Sequence, residues 1–180
     1  MTNLSLLYIP GYGGTATPSK KTDLLENYGT VTILDTKSIY TPHQYMESMD
    51  DVKGSFDCIV GTSLGGYWAH AFAKRMNVPF ILLNPVIDPF SQLRDIATEQ
   101  ELDQYKTILP LTNDLNLPGL VVVSDNDPVI DSTRSKDIFE DTSLFFMIPS
   151  NDDHSLNDSV DIYKDMVKVF LTDLIHRVSL

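Results

Sequence analysis

Apolar residues gather in six short runs, at 4–9, 30–34, 56–61, 80–84, 120–124 and 144–148, each of strand length and separated by polar or Gly/Pro-containing stretches. Several of the runs are almost continuously apolar, as Phe56, Cys58, Ile59 and Val60 are, and that is the pattern of parallel strands covered on both faces. Between them the spacing turns helical. Tyr67, Trp68, Ala71 and Phe72 follow the third run, and a last helix over 160–177 sets Ile162, Met166, Val169, Phe170 and Leu174 on one stripe with charges opposite, packing on the sheet and carrying no chemistry. Strands alternating with helices predict a three-layer α/β architecture, a mostly parallel sheet of about six strands with helices on both faces and little or no cap. The one long connection, 88–118, carries Phe90, Leu93, Ile96, Tyr105, Ile108 and Leu109 as apolar points. It reads equally as a lid or as a plain connecting helix pair.

The third run feeds Gly61-Thr62-Ser63-Leu64-Gly65, a Gly-x-Ser-x-Gly segment lying between a strand and a helix. Alone the pentapeptide is a weak signal. The strand–turn–helix context makes it a candidate nucleophile elbow, where a sharp turn needs residues without side chains two before and two after the serine. A serine needs a base, and the base an orienting carboxylate. Of four histidines, His154 alone follows a predicted strand, across the polar loop 149–153, and would lie on the sheet edge that bears the elbow. His43, His70 and His176 read as surface or core histidines. The strand 120–124 ends in Asp125 and Asp127. Asp127, further out on the loop before Pro128-Val129-Ile130, is the preferred orienting acid, with Asp125 making local turn hydrogen bonds and standing as the alternative.

The segment from Asp125 also resembles the start of a calcium loop, but Ile130 stands where such a loop has Gly and Lys136 where it has Glu. The order Ser63, Asp127, His154 is the nucleophile–acid–base order of α/β-hydrolases. Two backbone N–H groups complete the set as candidate oxyanion donors: that of Leu64, at the start of the helix after the elbow, and that of Tyr12, in the Gly-rich turn Pro10-Gly11-Tyr12-Gly13-Gly14 after the first strand. That turn has neither Gly-x-Gly-x-x-Gly nor Gly-Lys-Ser/Thr, which argues against a nucleotide loop.

With these residues in place the chain resembles the YqiA-type esterases, a small branch of the α/β-hydrolase superfamily. The resemblance runs over nearly the whole length, through Leu7-Tyr8-Ile9-Pro10-Gly11-Tyr12, Gly61-Thr62-Ser63-Leu64-Gly65-Gly66-Tyr67, Leu82-Leu83-Asn84-Pro85-Val86, Asp127-Pro128-Val129-Ile130 and Asp153-His154-Ser155. Asn84-Pro85 narrows it to this branch. It implies esterase activity on small acyl esters and triad roles for Ser63, Asp127 and His154. Two places depart from the family pattern: Pro10 stands where a histidine is usual, and Asn151-Asp152 where the base loop has a glycine pair.

Composition narrows the partners. A chain of 180 residues, 42% hydrophobic and 21% charged, is expected to form a single globular domain over 1–180, and no apolar run reaches bilayer length. The N-terminus lacks a secretory pattern and Cys58 is the sole cysteine, which together favour a cytoplasmic setting. A formal charge of −12 disfavours nucleic acid and anionic membrane, and acids near the expected active-site loops favour a neutral or cationic ester as the small-molecule substrate. A monomer or weak homo-oligomer is expected, with no metal or cofactor required. The same residues would serve a thioesterase or acyltransferase. A binding module that keeps the hydrolase scaffold without catalysis is the alternative from a different class.

Overall fold

A computed structural model describes residues 3–112, 117–141, 144–149 and 154–178. The apolar runs become strands β1 (Leu4–Ile9), β2 (Gly29–Ile33), β3 (Cys58–Thr62), β4 (Phe80–Leu83), β5 (Gly119–Ser124) and β6 (Leu144–Ile148). They form one sheet in the order β2-β1-β3-β4-β5-β6, and every pairing is parallel. β3 starts two residues later than the hydrophobic pattern suggests. The Asp57 carboxylate accepts the Ser5 N–H (2.7 Å), taking a donor that a ladder carbonyl would otherwise receive.

Parallel strands cannot turn back through hairpins, so helices cover both faces and both phases of each inner strand are apolar. On β1, Leu7 and Ile9 face one core, while Leu4, Leu6 and Tyr8 face the other; on β5, Val121 and Val123 oppose Leu120 and Val122. The first core is closed by helices α2 (Pro42–Asp51), α3 (Leu64–Met76) and α6 (Ser132–Phe139). The insertion adds α4 (Pro89–Gln92) and α5 (Glu99–Tyr105) on the same side, with Leu93 and Tyr105 buried. The second core is closed by α1 (Lys20–Glu26) and α7 (Val160–Val178). This is the three-layer arrangement that the alternating pattern predicts.

The stripe of α7 is rotated from the expected one. Val160, Tyr163, Val167, Phe170, Leu171 and Leu174 are buried, whereas Ile162 and Val169 are exposed and Met166 is half-buried. Tyr163 accounts for the shift: its ring is in the core and its hydroxyl reaches the Leu156 carbonyl (3.4 Å), so a residue that reads as polar sits at the centre of the buried face.

The described part of the insertion is held to α3 and to the segment that follows β4. The Leu111 N–H donates to the Ile87 carbonyl (2.8 Å) and the Tyr67 hydroxyl to that of Leu109 (2.9 Å). Residues 113–116, inside the segment weighed as a lid, and 150–153, most of the base loop with Asn151-Asp152, lie outside the described residues. No described helix is long and apolar enough to cross a membrane.

Candidate active site

The chain leaves β1 toward β2 on one side and returns through α2 to β3 on the other, so the loops after β1 and β3 diverge and open a crevice at the carboxyl edge of the sheet. Ser63 and the turn from Pro10 to Gly14 occupy that crevice. Ser63 has φ 56° and ψ −127°, a backbone state that costs about 1–3 kcal/mol and persists only when its surroundings over-determine it. Its N–H donates to the Leu83 carbonyl (3.0 Å), and its own carbonyl accepts from the N–H groups of Gly66 (2.8 Å), Tyr67 (3.3 Å) and Val86 (2.9 Å). A side chain on Gly61 would strike the Gly65 carbonyl and Ala69, and one on Gly65 would strike the carbonyls of Ile9 and Pro10. The two glycines thus let α3 close on the strands. Ser63 stands at the N-cap of α3, yet its side chain caps no helix amide.

The hydroxyl instead meets His154. Ser63 Oγ lies 2.6 Å from His154 Nε2, and His154 Nδ1 lies 2.6 Å from Asp127 Oδ2. A carboxylate can only accept, so the proton between His154 and Asp127 belongs to Nδ1, which leaves Nε2 to accept from the Ser63 hydroxyl. The Asp127 side chain is 1% exposed and that of His154 19%. The other carboxylate oxygen of Asp127 accepts from the N–H groups of Val129 (2.8 Å) and Ile130 (3.0 Å), so the buried charge has a donor on each oxygen. Asp125 stands exposed just past the end of β5, its N–H donating to the Ile148 carbonyl (3.0 Å).

The other histidines sit apart from this group. His43 pairs with Glu47 (3.2 Å) on the outer face of α2, His176 is exposed near the end of α7, and His70 lies in the core edge-on to Phe80 and Phe139. Cys58 is fully buried, and burial pushes its thiol up from the ordinary range. Among the described residues no three His, Cys, Asp or Glu side chains cluster to hold a metal ion.

The turn after β1 is pressed against Ser63: a Cβ on Gly11 would stand 3.1 Å from that of Ser63. The Gly11 carbonyl accepts from the Gly14 N–H (3.0 Å), with the Thr36 hydroxyl also 3.0 Å away. In a trans peptide the Tyr12 N–H points opposite to that carbonyl, away from buried Thr36. Leu64 begins α3, where first-turn N–H groups have no partner within the helix. The Tyr12 hydroxyl donates to Glu101 Oε2 (2.9 Å), and burial followed by the neighbouring carboxylate pushes it up to about 12. A cleft of about 300 Å³ runs along these residues, with Tyr8, Pro10, Tyr12, Ile96, Lys21 and Ser155 around Ser63 and His154.

Two residues at the site were not singled out from sequence. Asn84, used only as a mark of resemblance, donates from Nδ2 to the His154 carbonyl (3.0 Å) and accepts at Oδ1 from the Ser124 N–H (2.7 Å). Lys21 donates from Nζ to the Ser155 carbonyl (2.7 Å). A signal existed for Lys21: it is four residues from Leu25 on the buried face of α1, a helix started by the Ser19–Thr22 capping box.

The model of the Uncharacterised protein family (UPF0227) matches residues 5–171. Among solved structures the chain is similar to Est1E from Butyrivibrio proteoclasticus, seen with ferulic acid bound, at 16% identity over 96% of this chain and 90% of that one, with a TM-score of 0.74. It is similar to alpha/beta hydrolase domain-containing protein 10 from mouse at 14% identity over 97% and 90% of the two chains, TM-score 0.72. The type II thioesterase BorB from the borrelidin biosynthetic cluster gives 14% identity over 94% and 93%, TM-score 0.60. At such identities the likeness is one of fold, and the fold is that of the α/β-hydrolases.

Proposed function

The chain belongs to the UPF0227 family, that of the YqiA-type proteins, and from this premise we propose that it is a serine hydrolase that cleaves small acyl esters through an acyl-enzyme intermediate. The observation that carries the reading is the continuous line of contacts from Ser63 Oγ through His154 to Asp127, 2.6 Å at each step and open to one cleft. As Ser63 Oγ attacks the ester carbonyl, its proton passes to His154 Nε2, and Asp127 holds the Nδ1–H tautomer and stabilises the imidazolium that forms. The oxyanion is taken by the N–H groups of Tyr12 and Leu64, donors set by the β1 turn and by the start of α3 before substrate arrives. The imidazolium then protonates the leaving alkoxide. Water, deprotonated by the same Nε2, releases the acid. The low volume of the cleft suits small substrates, and the formal charge of −12 favours neutral or cationic ones.

A fluorophosphonate probe tests the reading. It should phosphonylate Ser63, located by peptide mass spectrometry, and inactivate turnover of p-nitrophenyl acetate in step. Ser63→Ala and His154→Ala should each stay folded and lose several powers of ten in kcat, and the double variant should lose little more, because nucleophile and base act as a unit. A folded wild-type protein that neither labels nor turns over would make this a binding module on a hydrolase scaffold.

A further inference from the structure

Asn84 follows β4 directly, beside Leu83, whose carbonyl holds the Ser63 N–H. It is 1% exposed, and its φ of 43° lies in the left-handed region that Asn tolerates better than most side chains. Its backbone already serves the sheet, the N–H donating to the Val122 carbonyl (2.9 Å). The side chain does something further. Oδ1 accepts from Ser124 at the end of β5, three residues before Asp127, while Nδ2 donates to the carbonyl of His154 itself. One amide therefore joins the strand next to the nucleophile, the strand that leads to the acid, and the backbone of the base. Only a side chain with an acceptor and a donor on one planar group can make both bonds; a carboxylate would face the His154 carbonyl with a second acceptor, and an aliphatic group would leave both partners unmet. The next carbonyl, that of Ser155, is held by Lys21 Nζ from α1, on a side chain that is itself 5% exposed.

We propose that Asn84 is a positioning residue for the base, fixing the His154 backbone so that the imidazole spans Ser63 and Asp127, with Lys21 as a second tether. The proposal rests on the serine-hydrolase reading of the same site. Two contacts of 2.6 Å on one ring leave little room for His154 to shift, and a displacement of about 1 Å can cost ~100-fold in rate.

The test is Asn84→Gly, which retains access to the left-handed backbone and removes both side-chain bonds. Three quantities are read: kcat and KM on p-nitrophenyl acetate per titrated active site, the rate of fluorophosphonate labelling of Ser63, and the low-field proton resonance of the His154 Nδ1–H. A positioning role gives a folded variant whose kcat and labelling rate fall by about 10- to 100-fold, with KM within about twofold and the resonance moved upfield or lost. A folded variant with wild-type kcat per site and a wild-type resonance would overturn the proposal. If Asn84→Gly does not fold, Lys21→Met carries the same readouts on the second tether, and an unchanged labelling rate and resonance there would overturn it too. A wild-type protein that shows the resonance but neither labels nor turns over, and whose resonance Asn84→Gly removes, would leave the positioning role standing while the hydrolase reading fell.

Discussion

Asp125 and Asp127 follow the same strand two residues apart, and their surroundings give them different work. Asp127 is buried with three donors on its two oxygens, one of them the His154 ring, while Asp125 is exposed at the strand end. Asp127→Asn should therefore lower kcat by about three to four powers of ten, because an amide there favours the wrong tautomer of His154. Asp125→Asn should stay within a few-fold of wild type on the same p-nitrophenyl ester. The reverse ranking would move the acid to Asp125. Ser63, Asp127 and His154 were legible in sequence because each follows an apolar run, and a parallel sheet sends the ends of such runs to one edge. What Asn84 and Lys21 hold was not, because the carbonyls they meet belong to residues 154 and 155 and a carbonyl has no signature in a sequence; only the buried place of Lys21 on α1 could be read.

At the scale of elements, the strands were readable to within a residue or two because the inner ones are apolar in both phases, and a shift in register would bury the same chemistry. The outward and inward sides of α7 were less so: Tyr163 and Leu171 decide its buried face, and both Ile162 and Val169 fit an amphipathic stripe equally well. The insertion reads from sequence equally as lid or connector, and its described part reaches the site through Ile96 in the cleft wall and through Glu101. Glu101 closes the capping box of α5 with Thr98 and also accepts from the Tyr12 hydroxyl, on the residue assigned an oxyanion donor. The Thr98 hydroxyl and amide hold the Glu101 carboxyl below its usual range, and that contribution, present above the ordinary carboxylate range, is lost as pH falls through the lowered value. The Tyr12 hydroxyl, pushed up to about 12, remains a donor across neutral and mildly alkaline pH. Tyr12→Phe should then cut kcat several-fold by loosening the turn, and Thr98→Ala should lower stability by about 1 kcal/mol with a smaller effect on kcat. Kinetics set beside urea melts of the two variants separate these effects; an unchanged kcat in Tyr12→Phe would detach the insertion from the oxyanion turn.

Considered as a whole molecule, the protein offers at its site a cleft of about 300 Å³ lined by the β1 turn, Lys21 of α1, His154 with Ser155, and Ile96 of the insertion. Both ends of an ester must share that space. An acyl chain gains about 0.8 kcal/mol per methylene only while each finds apolar surface to bury against, roughly a fourfold gain in kcat/KM per carbon. The apolar wall here is short: Ile96, Pro10 and the rings of Tyr8 and Tyr12 flank Ser63. Later methylenes extend into solvent and gain nothing, while they compete with the leaving group for the same walls. On p-nitrophenyl esters kcat/KM should therefore be highest between acetate and butyrate and fall by hexanoate or octanoate. Ile96→Ala should flatten the rise from acetate to butyrate and leave acetate itself nearly unaffected, since the first carbons lie nearest Ser63. A rate that climbs through decanoate would mean that the acyl group runs along a longer groove under the insertion, and that the cleft beside Ser63 receives the leaving group instead.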